Sequence, residues 1–307
     1  MFVPNRATRR QSAPQLSGIE NALEEMKRSL ELTPDERSQA SDYQNLVRER
    51  LEQTLGGFQT SFLTGSYARH TAIAPLKDID IFIVIDRERR PDLVEGEPRR
   101  CINAVRAAAA DALERMHKSP ISQRRSIGLD FVSADLKIEL VPAFQTGRPE
   151  VFQIADRSSG RWILSAPQVH EYLSTAANKQ SGGILKPVIK MIKRWKNLNR
   201  LPIKSFHLEV MCYGALPTEP RSLSEAVWLT FEHLARSILT PCPDPARIGD
   251  DIDIDMADQE RARMTVEFER CSKLAGDALR YEVSNPVWAH NRWKRIFGEL
   301  YPREDRG

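Results

Sequence analysis

Apolar positions along the chain follow two regimes, one in which the period keeps changing and a later one in which it stays helical. Ile19 to Leu32, rich in Leu, Glu and Lys, carries a helical pattern, and a second helix opens at Thr33-Pro34-Asp35-Glu36. That tetrapeptide combines a capping box with proline at the first helical position. The helix runs toward Leu55 and stops at Gly56-Gly57, because glycine takes the left-handed conformation that commonly ends helices. Phe58 to Thr64 then reads as a strand, Gly65 breaks it, and Ser66 to Thr71 has room for one or two helical turns. Ile79 to Ile85 is a nearly continuous apolar, β-branched run, the pattern of a strand buried on both faces. Pro98 to Lys118 predicts a helix around an alanine run, Ser126 to Phe144 predicts two strands joined at Ser133-Ala134-Asp135, and Val151 to Ile154 adds a short one. From Ser165 onward the pattern is helical, over Ala166 to Lys179, Ile184 to Asn199, Lys204 to Gly214, Ser222 to Leu239, Met256 to Tyr281 and Pro286 to Glu299. The chain therefore predicts an α+β fold in three parts. Residues 1–18 form a flexible tail, 19–165 a mixed-sheet core with its N-terminal helices, and 166–307 a C-terminal helical domain.

Composition narrows the class of protein. Hydrophobic residues make up 41% and charged residues 28% of the 307, the balance of a globular chain rather than a disordered one. Lys and Arg number 45 against 42 for Asp and Glu, so there is no strong nucleic-acid footprint of the kind a basic domain carries. No apolar stretch approaches the roughly 20 residues needed to span a bilayer. The first residues lack the apolar run of a secretory signal, and a cytoplasmic protein is expected. Cys101, Cys212, Cys242 and Cys271 are scattered with no CxxC pair, which suits a reducing compartment and excludes a paired-thiolate zinc site.

The candidate chemistry lies in Thr64-Gly65-Ser66-Tyr67-Ala68-Arg69-His70-Thr71, followed by Asp78-Ile79-Asp80. Alternate residues of a strand share a face, so Asp78 and Asp80 project side by side from the start of a buried strand. Adjacent carboxylates repel unless cations answer them, and hard divalent cations take oxygen ligands and share them with substrate phosphates. Gly65 permits a tight turn and the helix start beyond it offers free N–H groups to phosphate oxygens. A two-metal site wants a third carboxylate. Glu139, on the later strand Leu136 to Phe144, is chosen over Asp135, which falls in the connecting turn, and Asp130, which follows a different strand. Tyr67 and Arg69 brace the turn, with a phosphate contact by Arg69 left open.

The run Gly65-Ser66-Tyr67-Ala68-Arg69 through Asp78-Ile79-Asp80-Ile81-Phe82 resembles the signature of the polymerase-β-like nucleotidyltransferase superfamily. Within it the chain is similar to the cGAS/DncV-like nucleotidyltransferases (CD-NTases) of bacterial anti-phage signalling. Glu139-Leu140-Val141-Pro142-Ala143-Phe144 resembles the segment carrying the family's third acid, which is usually Asp. Ile192-Lys193-Arg194-Trp195 and Lys204-Ser205-Phe206-His207-Leu208-Glu209 resemble the two segments whose Lys and Ser contact the triphosphate. The Asp244-Pro245 loop and Trp293 to Gly298 also match. The resemblance spans Phe58 to Pro302 and implies a polymerase-β-like core with a helical second lobe. It implies two ions, Mg²⁺ or Mn²⁺, on Asp78, Asp80 and Glu139, and a donor triphosphate held by Gly65, Ser66, Lys193 and Ser205. The implied product is a cyclic di- or oligonucleotide second messenger made from NTPs, ATP among them, with release of pyrophosphate. Its implied partners are a product-activated effector protein and, at the tail ending in Gly307, a ubiquitin-like conjugation system. Two alternatives stand beside this, a template-independent RNA nucleotidyltransferase of the CCA-adding kind and a catalytically silent nucleotide-binding regulator.

Other polar features carry simpler expectations. Leu185, Val188, Ile189, Ile192 and Trp195 form an apolar helix face, and Lys186, Lys190 and Lys193 a basic stripe beside it. The stripe alone reads as a solvated face, with a nucleotide triphosphate as the anion that would otherwise answer it. The acidic run Asp250 to Asp255 lacks EF-hand spacing and reads as negative charge favouring the start of the next helix. His207 reads as a packed histidine at the lobe interface.

Overall fold

A computed structural model describes residues 18–114, 120–131 and 135–302. The expectations for the N-terminal tail, for the end of the Pro98 to Lys118 helix and for the C-terminal Gly307 lie outside these residues. In chain order the elements are α1 (Gly18–Ser29), α2 (Pro34–Thr54), β1 (Phe58–Thr64), α3 (Gly65–Ala68), β2 (Asp78–Ile85), α4 (Pro91–Val94), α5 (Pro98–Ala112), β3 (Ile121–Ser122), β4 (Ile127–Asp130), β5 (Lys137–Gln145), β6 (Phe152–Asp156) and β7 (Arg161–Ser165). Helices α6 (Pro167–Gln180), α7 (Leu185–Leu198), α8 (Ser205–Cys212), α9 (Leu223–Ser237), α10 (Asp258–Tyr281) and α11 (Pro286–Phe297) follow. The capping box at Thr33 is formed, with the Glu36 N–H on Thr33 Oγ1 at 3.2 Å and the Thr33 N–H on Glu36 Oε2 at 2.8 Å.

The seven strands make one mixed sheet in the order β1-β2-β5-β4-β3, with β6 added to β5 and β7 to β6. β2 runs parallel to β5 and antiparallel to β1. β5 is long enough to serve two partners along one edge, β4 over Lys137 to Leu140 and β6 over Ala143 to Gln145. Pro142, which has no N–H to give to a ladder, falls at the changeover. Ile79, Ile81, Ile83 and Ile85 enter the core under α2 and α5, whereas Phe82 and Val84 pack with Ala143, Phe152 and Ile154 on the other face. The strand read as buried on both faces is therefore so, and the Asp78, Asp80 side is the Phe82 side.

The helical half closes over its own core, where Trp195 of α7, Phe231 of α9, Phe268 of α10 and Trp293 of α11 are fully buried. Here the structure departs from the division read in the sequence. α1 contributes Ile19, Leu23 and Met26 to this helical core, and only α2 belongs to the sheet core. An apolar helix face specifies that something covers it but not which neighbour does. β3, β7 and α4, each of five residues or fewer, fall outside the elements that the pattern predicts.

Ile81 lies in the middle of the sheet's helix-covered face with no exposed surface. Ile81→Ala should cost about 2–5 kcal/mol in urea unfolding; a loss below about 1 kcal/mol would contradict this packing.

Candidate active site

The parallel register of β2 on β5 sets Asp80 directly opposite Glu139 and Asp78 opposite Lys137. Opposed residues of neighbouring strands share a face, so the three carboxylates proposed from alternation do stand on one side of the sheet. Antiparallel pairing brings Thr64 of β1 opposite Asp80, and the chain turns at once into Gly65. Gly65 has φ +66°, and a Cβ there would overlap Asp80 Oδ2 and lie 2.7 Å from its Cγ. Glycine is thus demanded twice, by the backbone conformation and by the approach of a carboxylate.

The two aspartates and the glutamate differ in their surroundings. The carboxylates of Asp78 and Asp80 accept no hydrogen bond among the described residues. Burial, then the charges of Glu139 and Asp78, push Asp80 up to about 6, against the pull of Arg69 and Lys193. Glu139 is held otherwise, accepting from Lys137 Nζ at 2.7 Å, Ser126 Oγ at 3.1 Å and Gln123 Nε2 at 3.3 Å. No three His, Cys, Asp or Glu side chains are gathered as a closed metal cluster among the described residues. The donor set nevertheless fits a hard divalent cation. It is all oxygen, two of its members are unpaired, and the crowding that raises Asp80 is what a cation relieves. Of the alternatives to Glu139, Asp135 is exposed and paired with Lys77, and Asp130 lies beyond the cleft opposite Lys137.

Between the sheet and the helical half runs a cleft of about 680 Å³. Gly65, Ser66, Asp78, Asp80, Glu139, Lys193 and Ser205 all line it, so residues 140 positions apart meet at one surface. Its floor is apolar, with Phe82, Val141, Ile154 and Ile163. Lys193 is 5% exposed; its Nζ donates to the Thr71 carbonyl at 2.8 Å, and burial pulls its ammonium down to about 8 against the charge of Glu209. Ser205 Oγ accepts from Lys196 Nζ at 3.1 Å.

The lysine stripe is not solvated, and two of its three members are answered within the protein rather than by a triphosphate. Lys186 donates to Thr175 Oγ1 at 3.0 Å and Lys190 to Glu31 Oε2 at 2.7 Å. All three lysines are buried, and of them only Lys193 lines the cleft. The acidic run differs from its reading as well. The first turn of α10 carries Asp258 and Glu260, while Asp250, Asp251 and Asp255 line the cleft. Asp255 accepts from Lys204 Nζ at 3.0 Å and, across the cleft, from Arg124 Nη1 at 2.6 Å. Arg124 and Arg125 also converge on Asp156. Burial raises Asp156, but the Ser159 N–H and the two arginines outweigh it and hold the carboxyl at about 2.

The sequence reading missed Glu209. It is fully buried on α8 and accepts from Arg69 Nε at 2.7 Å, Thr71 Oγ1 at 2.8 Å and Tyr213 OH at 3.3 Å. Burial alone would raise its carboxyl, yet the Arg69 and Lys193 charges keep it below the ordinary range. Arg69 therefore braces the turn against the opposite lobe, its guanidinium 4.7 Å above the Phe206 ring. His170, 5.1 Å from Phe206, continues the wall and pairs with Asp244 at 2.8 Å. Glu209 stood within the quoted Lys204 to Glu209 segment, but nothing in its spacing names a partner 140 residues away. His207 is buried as expected.

A mixed sheet carrying paired carboxylates under a Gly-Ser turn, faced by a helical lobe across a nucleotide-sized cleft, defines a nucleotidyltransferase. Residues 18–178 match the Second Messenger Oligonucleotide or Dinucleotide Synthetase domain, and the chain belongs to that family. It is 23% identical to a probable cyclic nucleotide synthase of Bacillus cereus strain VD146 over 273 residues, 78% of this chain and 82% of that protein. It is 22% identical over 262 residues to a cyclic AMP-AMP-AMP synthase of an Acinetobacter species, covering 79% and 73% of the two chains. In fold it is similar to CdnC of E. coli MS115-1, solved with ATP, at a TM-score of 0.74 and 16% identity over 92% of this chain and 99% of that one. The resemblance to the cGAS/DncV-like enzymes, and the two-lobed polymerase-β-like fold it implied, are borne out. No helix among the described residues is long and apolar enough to cross a membrane.

Gly65→Ala should lower nucleotidyl transfer by at least about 100-fold, the scale of a misplacement of about 1 Å in a catalytic constellation, with far-UV circular dichroism unchanged. Activity within a few-fold of the parent would contradict the close approach of Gly65 and Asp80.

Proposed function

We propose that this synthetase joins NTPs, ATP among them, into a cyclic di- or oligonucleotide within the cleft between its lobes. The observation that carries this is the register of Asp80 beside Glu139, directly below the Gly65-Ser66 turn and facing Lys193 and Ser205. The names of the Bacillus and Acinetobacter relatives support a cyclic product, and the ATP in the E. coli structure supports that substrate.

In this reading Ser66 and the Gly65 backbone bind the donor triphosphate from the sheet side, and Lys193 and Ser205 bind it from the helical side. With its pKa at about 8, the Lys193 ammonium is mostly protonated at neutral pH and brings a positive charge to the phosphates. Asp78, Asp80 and Glu139 are the residues that would hold two divalent ions, Mg²⁺ or Mn²⁺, whose chemistry is to acidify the acceptor hydroxyl and to offset charge on the leaving pyrophosphate. Glu139 takes that part by exchanging its Lys137, Ser126 and Gln123 partners. The apolar floor of Phe82, Val141, Ile154 and Ile163 excludes water from the reacting phosphate. A second transfer in the same cleft, joining the two ends of the linear product, closes the ring. The product activates a separate effector protein in anti-phage defence, as the family resemblance implies.

Pyrophosphate release from mixed NTPs should require Mg²⁺ or Mn²⁺ and stop on chelation. Asp78→Asn and Asp80→Asn should each fall to background while melting within a few degrees of the parent. Turnover retained in either folded variant would overturn the site.

A further inference from the structure

Arg69 occupies an ambiguous position. It closes the same short turn that begins at Gly65, its N–H donating to the Gly65 carbonyl at 3.2 Å, and Gly65 is the residue packed against the Asp80 carboxylate. A guanidinium lining the same cleft as the unpaired Asp80, and acting on its charge, has an obvious partner there, since Arg fits carboxylates with a rigid planar fork. Yet both bonds the fork makes to a carboxylate, from Nε at 2.7 Å and Nη2 at 3.4 Å, go to Glu209 on the opposite lobe. Glu209 is anchored independently by Thr71 and Tyr213, and the guanidinium is fixed from its flat side by Phe206. Arg69 acts on Asp80 from there only at a distance, as one of the charges that favour its ionised form.

We propose that Glu209 is a positioning residue of the active site, one that detains the Arg69 guanidinium in the lobe interface and so leaves the Asp80 carboxylate free for a divalent cation. The inference rests on the metal reading given above. It assigns a function to a buried carboxylate that touches neither substrate nor ion: without it, Arg69 turns to Asp80 and competes with the cation for the same oxygens. Thr71 shares in the arrangement, because its hydroxyl holds the Glu209 oxygen Oε2 while its carbonyl takes Lys193. Neither of the two positive groups that act on Asp80, Arg69 and Lys193, makes a hydrogen bond to its carboxylate.

The test measures Mn²⁺ binding directly by electron paramagnetic resonance, with no substrate present, so that it does not depend on turnover. Glu209→Gln removes the charge with little change of shape and should weaken Mn²⁺ binding at least tenfold. Glu209→Asp keeps the charge and should stay within threefold of the parent. The double variant Arg69→Gln, Glu209→Gln has no arginine to stray and should recover parental affinity. It also leaves neither member of the Arg69–Glu209 pair as a stranded charge, so it keeps the test open where the single variant does not fold. Equal weakening in Glu209→Asp and Glu209→Gln, parental binding in a folded Glu209→Gln, or weak binding in the folded double variant would each overturn the proposal. Failure of the parent itself to bind Mn²⁺, or binding that survives Asp80→Asn, would remove the metal reading and this inference with it.

Discussion

The buried ion pair between Arg69 and Glu209 is the constraint on which the site depends. One partner sits on the turn that follows β1 and the other on α8, so the pair joins the sheet half to the helical half, and both residues line the cleft. Desolvating both charges is expensive and is repaid only by good geometry with further hydrogen bonds; here Thr71, Tyr213 and the Phe206 face supply them. Such a pair need not raise net stability over an apolar packing, but removing one partner strands a charge at a cost of about 3–5 kcal/mol. Its contribution is to fix one relation between the lobes. Given that relation, Ser66 and the aspartates on one side face Lys193 and Ser205 on the other.

The segment between the Gly-Ser turn and the aspartates is clasped by the same logic. Lys193 holds the Thr71 carbonyl, Arg194 the Ala74 carbonyl, the Leu30 carbonyl the Ala74 N–H, and Glu36 the Leu76 N–H. The capping carboxylate of α2 thus also positions the approach to β2. A second tie between the halves is of another kind. Arg124, Asp255 and Lys204 are all more than 40% exposed, and pairs of that sort are worth about 0–1 kcal/mol. The lobes are thus joined by one buried pair and one exposed group of charges.

Much of this was legible in the sequence because it is local. Strict alternation placed Asp78 and Asp80 on one face, the apolar run after them identified a central strand, and Glu139 followed from the same period on β5. The capping box at Thr33 and the glycines at 56 and 65 punctuated the chain where it turns. What resisted reading was partnership across distance. Lys186, Lys190 and Lys193 share one stripe, yet each meets a different element, and no periodicity says that Glu31 answers the second of them. Asp255 looked like a helix-start charge because its partner Arg124 is 131 residues away. α1 showed an apolar face without showing which core it would enter. Glu209 was invisible for the same reason, being the one carboxylate of a short helix until Arg69 stands opposite it.

The most direct test of the account is to incubate the purified protein with all four labelled NTPs and Mg²⁺ or Mn²⁺, digest with phosphatase, and identify what survives by mass spectrometry. A phosphatase-resistant nucleotide without free ends, absent from an Asp78→Asn control, is the predicted result and would give its bases and ring size. Linear oligomers alone would contradict ring closure within this cleft, and a resistant product that persists in the control would contradict the site.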